Sequence, residues 1–285
     1  MYLSRLVLNP RSSEVRRDLA DCQALHRRIL SGFGQAPPEI GSPGAREHFG
    51  VLHRVETDPQ TGDVRVLVQS RSLPNWSCLP ERYLIPGDNG DHIEGAPKPV
   101  GDYHAKLVRD GATLRFRLRA NVTRKIDTKT GPDGKRRSGK RVELREDLTW
   151  RDGRWVEKPG GHASWEWLGR KGEQAGFRLL TVQASGAFGT SGSAGTIPNA
   201  NATSMQKLVG RRPNKAVEEG VSQKTSQLTL GSIIFDGLLE ITNAELFRGA
   251  LDNGVGPGKA YGFGLLSIAP ASAAAVDAVI VATPR

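Results

Sequence analysis

Two stretches of the chain alternate apolar and polar residues with a period of two, and each predicts a strand that begins a structural unit. Tyr2 to Leu8 has the pattern of a half-buried strand. Thr113 to Ala120 repeats it, with leucine and phenylalanine side chains on one face and three arginines on the other. We therefore expect two units, each built around such a strand.

A helical period follows the first strand. Ser12 or Ser13 can cap a helix that runs to about Phe33. His26 falls within the apolar stripe of this helix, and Gln23 lies beside it one turn earlier. A histidine at such a position is either a satisfied core residue or a functional one, and periodicity alone leaves both open. The stripe consists of Val15, Leu19, Cys22, Ile29 and Phe33.

The same criteria predict the elements of the rest of the chain. Asp236-Gly237 predicts a hairpin turn between two strands, and 185–201, which is rich in Gly, Ser, Thr and Asn, predicts a loop. The segment 73–108 predicts a weak strand followed by a linker. Helices are predicted at 162–176 and 244–252, and strands at 48–56, 64–70, 177–184, 227–235, 238–242 and 265–268.

This order of elements predicts an α+β protein made of two tandem ferredoxin-like (RRM-like) domains. In that motif an antiparallel sheet carries its helices on one face. The second helix of the first domain has no clear sequence pattern. We expect an N-terminal domain at 1–95, a linker at 96–110, a C-terminal domain at 111–270 and an alanine-rich tail at 271–285.

The net charge of +10 and the pI near 9.9 predict an acidic partner, with nucleic acid the first candidate and an anionic membrane the second. The charge is concentrated in 115–145, which holds twelve Lys and Arg against three Asp and Glu. A turn at Gly131–Gly134 would make 124–129 and 135–141 the arms of a basic hairpin, a shape that can enter a nucleic-acid groove. A solvated charged hairpin is the alternative. The candidate RNA contacts are Arg124, Lys125, Lys129, Lys135, Arg136, Arg137, Lys140 and Arg141.

A glycine-rich loop lies near the end of the chain, at 253–264. Five glycines flank Lys259 there, and a short apolar strand pattern follows. Glycine permits a positive φ, and successive amides can form a concavity that binds anions, to which a lysine adds a charge. It differs from a Walker A loop, because no Ser or Thr follows the lysine and no helix follows the loop. A tight loop that merely links two elements is the alternative.

Other classes of protein are disfavoured. Cys22 and Cys78 provide neither a disulfide framework nor a zinc cage, so we expect no metal and no cofactor. The chain has neither a signal-peptide layout nor an apolar run of transmembrane length, so we expect a cytoplasmic protein without a membrane partner.

Three blocks of sequence resemble the CasE family, the CRISPR repeat-RNA endoribonucleases of the type I-E Cascade complex and members of the RAMP superfamily. The first block is Met1-Tyr-Leu-Ser-Arg-Leu-Val-Leu-Asn-Pro10 together with Arg16-Arg-Asp-Leu19 and Leu25-His26-Arg27. The second is Leu114-Arg-Phe-Arg-Leu-Arg-Ala-Asn121, and the third is Gly254 to Pro270. The blocks occur in the family's order.

The resemblance implies a metal-independent endoribonuclease with two ferredoxin-like domains. It would cut each CRISPR repeat at the 3′ base of its hairpin by attack of a 2′-hydroxyl, leaving a 2′,3′-cyclic phosphate. It would then stay bound to the guide RNA among the other Cascade subunits. His26 matches the family's general acid/base, whereas Gln23 occupies a position that is often tyrosine, and glutamine does not ionise usefully at neutral pH.

Further roles follow from this resemblance and from charge. Tyr261 or Lys259 is expected to supply the contact that Gln23 cannot. The candidate phosphate contacts are Arg16, Arg17, Arg27, Arg28, Gly256, Gly258 and Lys259.

Three alternatives stay open at this level. The chain is a subunit that caps the guide hairpin and cuts poorly, an unrelated basic RNA-binding protein with ferredoxin-like domains, or a nucleotide-dependent enzyme that uses the glycine loop.

Overall fold

The helices and strands follow the order expected of two ferredoxin-like motifs. The computed structural model describes residues 1–35, 44–85, 95–126, 140–144, 148–151, 154–157, 163–184, 195–213 and 225–271. The helices are α1 (Ser13–Ala20), α2 (Cys22–Leu30), α3 (Ala45–His48), α4 (Gly101–Leu107), α5 (Ala163–Gln174) and α6 (Ala244–Asn253). The strands are β1 (Tyr2–Val7), β2 (Leu52–Thr57), β3 (Val64–Ser70), β4 (Lys98–Pro99), β5 (Thr113–Ala120), β6 (Thr123–Ile126), β7 (Lys140–Glu143), β8 (Leu148–Arg151), β9 (Arg154–Glu157), β10 (Phe177–Leu179), β11 (Thr181–Ala184), β12 (Gly195–Pro198), β13 (Ala200–Pro213), β14 (Thr225–Ile241) and β15 (Leu266–Pro270).

The chain divides into two compact units, and each contains segments that are distant in sequence. The predicted linker at 96–110 is not a linker, because it holds β4 and α4, and Val100 N–H donates to Met1 O at 3.0 Å. The glycine loop belongs to the first unit and not to the C-terminal domain in which we expected it. The first unit comprises Met1–Lys106, Gln206–Leu230 and Gly249–Leu266, and the second comprises Leu107–Met205, Gly231–Arg248 and Ser267–Arg285.

The sheet of the first unit has the strand order β2-β3-β1-β4, and its three strand pairs are antiparallel. This is the order of a ferredoxin-like motif, in which the first and third strands are central. In the described residues between β3 and β4, the chain forms only a short 3-10 helix, Trp76–Cys78. The second helix that the sequence left unplaced is therefore represented there by a single turn.

The helix predicted from Ser13 to Phe33 is instead two helices, α1 and α2, that meet at Asp21. This residue has an extended backbone (φ −134, ψ 107), which ends α1 and begins α2. Its carboxylate accepts hydrogen bonds from Gln23 N–H at 2.9 Å and Ala24 N–H at 3.4 Å. Aspartate is favoured at this capping position because its oxygen satisfies amides that lack a helical partner. The predicted helix was wrong at this point because the apolar period continues through the break.

Both helices pack on the first sheet through the core of the first unit. The apolar stripe predicted from sequence is largely buried, and Leu25 belongs to it as well. The core includes Leu6, Leu8, Val15, Leu25, Ile29, Phe33, Val51, Val66, Val68, Trp76 and Tyr83.

The sheet of the second unit has the order β10-β14-β5-β15, which repeats the ferredoxin-like arrangement and confirms the predicted fold class. Strand β5 has the predicted bounds and pairs antiparallel with β14. Arg115 and Arg117 are exposed, as the alternating pattern predicts. Arg119 departs from the prediction, because it is buried and its Nε donates to Ser232 Oγ at 2.8 Å.

The hairpin predicted at Asp236-Gly237 is wrong, because β14 runs through both residues as one strand. Asp236 lies opposite Arg117 in the sheet and accepts a hydrogen bond from it at 2.5 Å. A Cβ at Gly237 would overlap Ala200 of β13. The Asp-Gly pair therefore serves a cross-strand ion pair and a close strand crossing, not a turn.

Two other predictions of local structure were wrong. Residues 195–198 and 200–201 of the predicted loop form β12 and the start of β13. The strand predicted from His48 begins only at Leu52, because α3 precedes it. Within the part of the chain that the structure describes, no helix combines the length and the apolar character needed to cross a membrane.

Candidate active site

The first unit presents His26 on the flank of α2. Cys22, Leu25 and Ile29 of this helix are buried in the core, whereas His26 is half-buried. One residue advances a helix by about 100°, so a residue next to Leu25 lies at the border between core and solvent. His26 is therefore neither a fully buried core residue nor a fully exposed one. Its helix packs on the core, and the residue itself stays partly exposed.

The glycine loop folds as the sequence predicts, with a positive φ at every one of its five glycines. At Gly254 a Cβ would lie 2.9 Å from Gly264 O and 2.9 Å from the Leu52 side chain, so the loop closes tightly on itself and on β2. Between the glycines, Lys259–Tyr261 forms a 3-10 turn. The φ values are 76° at Gly254, 82° at Gly256, 82° at Gly258, 86° at Gly262 and 85° at Gly264.

The 3-10 turn of the loop brings Tyr261 to His26. The two rings meet edge to face, with centroids 6.2 Å apart and planes inclined at 64°. Both residues are half-buried, as are Lys259, Gly256 and Gly258 of the same loop. Residues that lie more than two hundred positions apart thus form one cluster, and it contains three of the predicted catalytic residues, His26, Lys259 and Tyr261.

Burial gives His26 an unusual protonation equilibrium. Desolvation by burial, together with the smaller effect of the positive charge of Arg46, lowers the pKa of its imidazole to about 4. A histidine with such a pKa is neutral at pH 7, so one ring nitrogen can accept a proton while the other donates a hydrogen bond. The side chain is therefore in the form that a general base requires.

Side chains of β2 and β3 hold both ends of the glycine loop. Gln69 Nε2 donates to Leu251 O at 2.6 Å, just before the loop. Arg54 Nη1 donates to Leu265 O at 3.0 Å, just after it. His53 lies below the loop, and a Cβ at Gly262 would be 3.4 Å from its Nε2.

These three side chains of β2 and β3 are almost completely buried, and the sequence patterns did not indicate them. Their exposed fractions are 2% for Arg54, 1% for His53 and 3% for Gln69. The one signal that the sequence carries is a histidine and an arginine, His53 and Arg54, between two apolar residues of a strand, Leu52 and Val55.

Two of the arginines predicted to contact phosphate form hydrogen bonds within the protein. Arg28 Nε donates to the buried carboxylate of Asp18 at 2.7 Å, and its guanidinium lies 5.3 Å from the ring centroid of Tyr83. Arg16 Nη1 donates to the carbonyl oxygens of Pro10 and Arg11 at 3.0 and 2.8 Å. Both arginines therefore stabilise the start and the packing of the helices.

The other two arginines of this group, Arg17 and Arg27, are exposed. Arg17 Nε lies 3.5 Å from Asp18 Oδ1, and Arg27 is next to His26 in the chain. Gln23 is half-buried one turn before His26, where the helix places it as predicted.

The arms of the predicted basic hairpin pair in the second unit. β6 and β7 are antiparallel from Thr123 opposite Glu143 to Ile126 opposite Lys140. Lys125 and Arg141 lie opposite each other, and both are exposed. Like charges in this arrangement repel unless an anion lies between them. Arg124 is half-buried. The predicted turn and the candidates Lys129, Lys135, Arg136 and Arg137 lie outside the described residues.

Comparison with known proteins agrees with this fold. The family model described as "CRISPR associated protein" matches residues 1–270. The CRISPR-associated endoribonuclease Cse3 of Thermus thermophilus is 34% identical over 272 residues, which are 95% of this chain and 100% of the relative.

Two solved structures of Cse3 are similar to the whole chain. One is Cse3 bound to a 19-nucleotide RNA, with a TM-score of 0.61 at 30% identity, covering 95% of this chain and 100% of that chain. The other is Thermus thermophilus Cse3 bound to an RNA representing a pre-cleavage complex, with a TM-score of 0.59 at 29% identity, covering 94% and 98%. Since the family model spans residues 1–270 and the Thermus relative aligns over its whole length, this chain belongs to the CRISPR-associated protein family, and the predicted membership of the CasE endoribonucleases is confirmed.

Proposed function

We propose that this protein is a metal-independent endoribonuclease that cuts CRISPR precursor RNA at the 3′ base of each repeat hairpin. The observation that carries the proposal is the pairing of a neutral, half-buried His26 with Tyr261 of the glycine loop. It occurs in a chain whose relative is named an endoribonuclease and has been solved with an RNA representing a pre-cleavage complex.

The reaction needs proton transfer and charge stabilisation. The 2′-oxygen beside the scissile phosphate forms a bond to phosphorus, the bond from phosphorus to the 5′-oxygen breaks, and a 2′,3′-cyclic phosphate remains. Neutral His26 accepts the proton that the 2′-hydroxyl loses. The leaving 5′-oxygen gains a proton, for which the phenol of Tyr261 is the proposed donor. Lys259 offsets negative charge on the phosphate, and the half-buried amide of Gln23 orients it by hydrogen bonding.

The basic hairpin of the second unit is proposed to hold the RNA stem. Exposed Lys125 and Arg141 lie opposite each other on two paired strands, where both can approach the same stretch of phosphate backbone. An A-form stem is recognised mainly through its shape and backbone, so these contacts position the RNA more than they select its sequence. After cleavage, the protein is proposed to stay on the guide RNA in the cytoplasm, together with the other Cascade subunits.

Single-turnover cleavage of a CRISPR repeat hairpin in excess EDTA tests the catalytic proposal. The wild type is expected to cut at the stem base, and His26→Ala is expected to lose the activity. Gln23→Ala is expected to keep most of it, and Tyr261→Phe should be slowed because it retains the ring but lacks the proton. Product ends are identified by mass and by phosphatase treatment, because a 2′,3′-cyclic phosphate is a diester that resists a phosphatase whereas a 3′-monophosphate is removed.

A second function, capping of the guide hairpin with little cleavage, is favoured by one observation, the glutamine at position 23. The same assay separates the two. Tight hairpin binding with equally slow cutting by wild type and His26→Ala would leave a capping subunit and sink the proposed chemistry.

A further inference from the structure

The glycine loop runs around the edge strand of the first sheet, β2, from one face of the sheet to the other. Leu52 of β2 lies opposite Gln69 of β3. The next residue of β2, His53, lies opposite Val68. Because side chains alternate along a strand, the first pair is on one face and the second pair is on the other. Val68 belongs to the core on which α1 and α2 pack, so the second face is the one that carries α2.

The base of the loop lies on the first face, and its tip lies on the second. Gln69 and Arg54, which share the first face, donate hydrogen bonds to the chain just before and just after the loop. At the tip, a Cβ at Gly262 would lie 3.4 Å from Nε2 of His53, next to the tyrosine whose ring meets His26. Two buried side chains on the face away from α2 thus hold a loop whose tip forms part of the candidate active site.

The chain itself closes the base of the loop. Val255 N–H donates to Gly264 O at 2.9 Å, which joins the two ends. A Cβ at Gly264 would lie 2.9 Å from Val255 O and 3.2 Å from the Lys259 side chain, so the interior of the loop is tightly packed as well. A short loop with joined ends and its own packing is compact. A shift of its base is therefore expected to move its tip.

Gln69 satisfies a carbonyl that this closure leaves without a helical donor. In a longer helix α6, Val255 N–H would bond to Leu251 O, one turn earlier. That N–H is instead used to close the loop, and Nε2 of Gln69 donates to Leu251 O at 2.6 Å in its place. The amide of Gln69 is buried, so water does not readily replace it, and a buried carbonyl without a donor is costly. Gln69 therefore fixes the point at which the loop leaves the helix.

Arg54 makes the matching contact on the other side of the loop. Its Nη1 donates to Leu265 O at 3.0 Å. Its Nε donates to Glu56 Oε1 at 2.8 Å, so the buried charge is paired and the guanidinium is fixed by both contacts. Arg54 and Gln69 both lie on the sheet face away from α2, so an effect of either on the chemistry of His26 has to pass through the loop.

We propose that Gln69, assisted by Arg54, is a positioning residue of the cleavage reaction, because it fixes the base of the glycine loop and so holds Tyr261 against His26. The inference rests on the proposed function and extends it to two buried side chains that lie outside the site residues predicted from sequence. A displacement of about 1 Å in a reacting group can slow a reaction about a hundredfold, so the contacts that set its place affect the rate directly.

The test compares Gln69→Met with a matched control from the same strand. Methionine has the length and nearly the volume of glutamine but lacks the N–H donor. The control, Val66→Ala, shortens a core side chain on the helix face of β3 and so lowers stability without touching the base of the loop. Gln69→Asn, which keeps an amide on a shorter side chain, is the milder second variant.

Gln69→Met is expected to slow single-turnover cleavage at saturating repeat RNA by about tenfold or more, with a dissociation constant for that RNA within about threefold of the wild type. Gln69→Asn should lose less of the rate. Val66→Ala should unfold at a lower urea concentration and yet cut at a rate within about twofold of the wild type. A positioning role predicts this separation of rate from stability, whereas a general loss of folding does not.

A double variant tests whether the effect passes through Tyr261. Tyr261→Phe already lacks the proposed proton donor, so adding Gln69→Met should slow cleavage by less than about twofold more. An effect that spread through the whole unit would instead multiply with that of Tyr261→Phe.

The titration of the His26 imidazole, followed by NMR, tests the position of the loop without any cleavage. Gln69→Met should raise the pH at which the imidazole titrates, because a displaced Tyr261 ring lets water reach it. Val66→Ala should leave the titration as it is in the wild type.

Three results would overturn the inference: a cleavage rate of Gln69→Met equal to that of the control, an equal slowing by Gln69→Met with and without Tyr261→Phe, or a His26 titration that Gln69→Met leaves unchanged. Cleavage that does not depend on His26 would instead be a failure of the proposed function. The NMR titration would then still decide whether Gln69 holds the loop at His26.

Discussion

Replacing Gly210 by alanine is the most direct perturbation of the contact between β13 and the His26 helix, where Arg211 N–H donates to Asp21 Oδ1. The backbone at Gly210 does not have a positive φ, so alanine adopts it without strain and the added methyl group is the only change. That methyl group would be built 2.7 Å from Cys22 Sγ. The substitution therefore perturbs the packing of β13 on α2 without adding backbone strain.

The expected magnitude follows from the distances. Non-bonded carbon and sulfur atoms prefer separations of at least about 3.5 Å, so the strand and the helix must move apart by about 1 Å. Overpacking of this kind costs about 1–3 kcal/mol. The movement also stretches the 3.3 Å bond from Arg211 N–H to Asp21, whose loss costs about 0.5–1.5 kcal/mol. We expect Gly210→Ala to lower the free energy of unfolding by about 2–4 kcal/mol.

Urea denaturation and single-turnover cleavage measure the two consequences. A displacement of about 1 Å in the helix that bears His26 is expected to slow cleavage tenfold or more at saturating RNA. Cys22→Ala removes the obstructing sulfur, so the double variant Gly210→Ala/Cys22→Ala should regain at least about 1 kcal/mol relative to the sum of the single changes. Gly169→Ala is the matched control, because no atom lies within 4 Å of a Cβ there and the substitution should be neutral or slightly stabilising.

The packing argument is refuted if Gly210→Ala is as stable as the wild type, or if its cost shows no coupling to Cys22→Ala. If Cys22→Ala restores the stability of the Gly210→Ala variant but not its cleavage rate, the packing contact is supported but does not control the activity.

Three more predictions concern residues around the site. The pKa of His26 is about 4 in the folded state and 6.5 in the unfolded state, so the unfolded chain binds a proton more readily. The contribution of neutral His26 to the free energy of unfolding is therefore fully present above pH 6.5 and is lost as the pH falls toward 4. In urea denaturation, the free energy of unfolding of the wild type should fall by about 1–3 kcal/mol more than that of His26→Asn between pH 7 and pH 4. If the two free energies fall in parallel, the lowered pKa of His26 is contradicted. Arg54→Met should cost about 2–4 kcal/mol and speed hydrogen exchange in the glycine loop, because Leu265 O loses its buried donor, and Arg54→Lys should cost less. The Tyr83 phenol donates a hydrogen bond to Asp18, whose charge helps to raise the pKa of the phenol, so Asp18→Asn should lower that pKa. An unchanged ultraviolet titration of Tyr83 would show that burial alone raises its pKa.

Patterns that depend on neighbouring residues could be predicted from the sequence because their causes are local. The bounds of β5 follow from strict alternation, and each glycine of the loop has the positive φ that glycine tolerates best. Ferredoxin-like architecture follows from the order of these elements. His26 could be singled out because it matches the helix histidine of the CasE family, whereas the apolar stripe alone left its role open.

Predictions failed where a distant segment decided the outcome. The apolar period continues through Asp21, so nothing local separates a long helix from two short ones. The break is stabilised by an aspartate that also accepts the N–H of Arg211. Asp236-Gly237 has the composition of a turn, yet its neighbours across the sheet, Arg117 and Ala200, keep it within one strand.

The sequence by itself determined the fold class, the family, the conformation of the glycine loop and the choice of His26. Only the tertiary structure decided that Tyr261 lies against His26, that burial lowers the pKa of this histidine, and that β13 ends on its helix. The physical reason is that the first set depends on backbone conformations and patterns that adjacent residues impose. The second depends on desolvation and close contact between segments about two hundred residues apart, which exist only after the chain has folded.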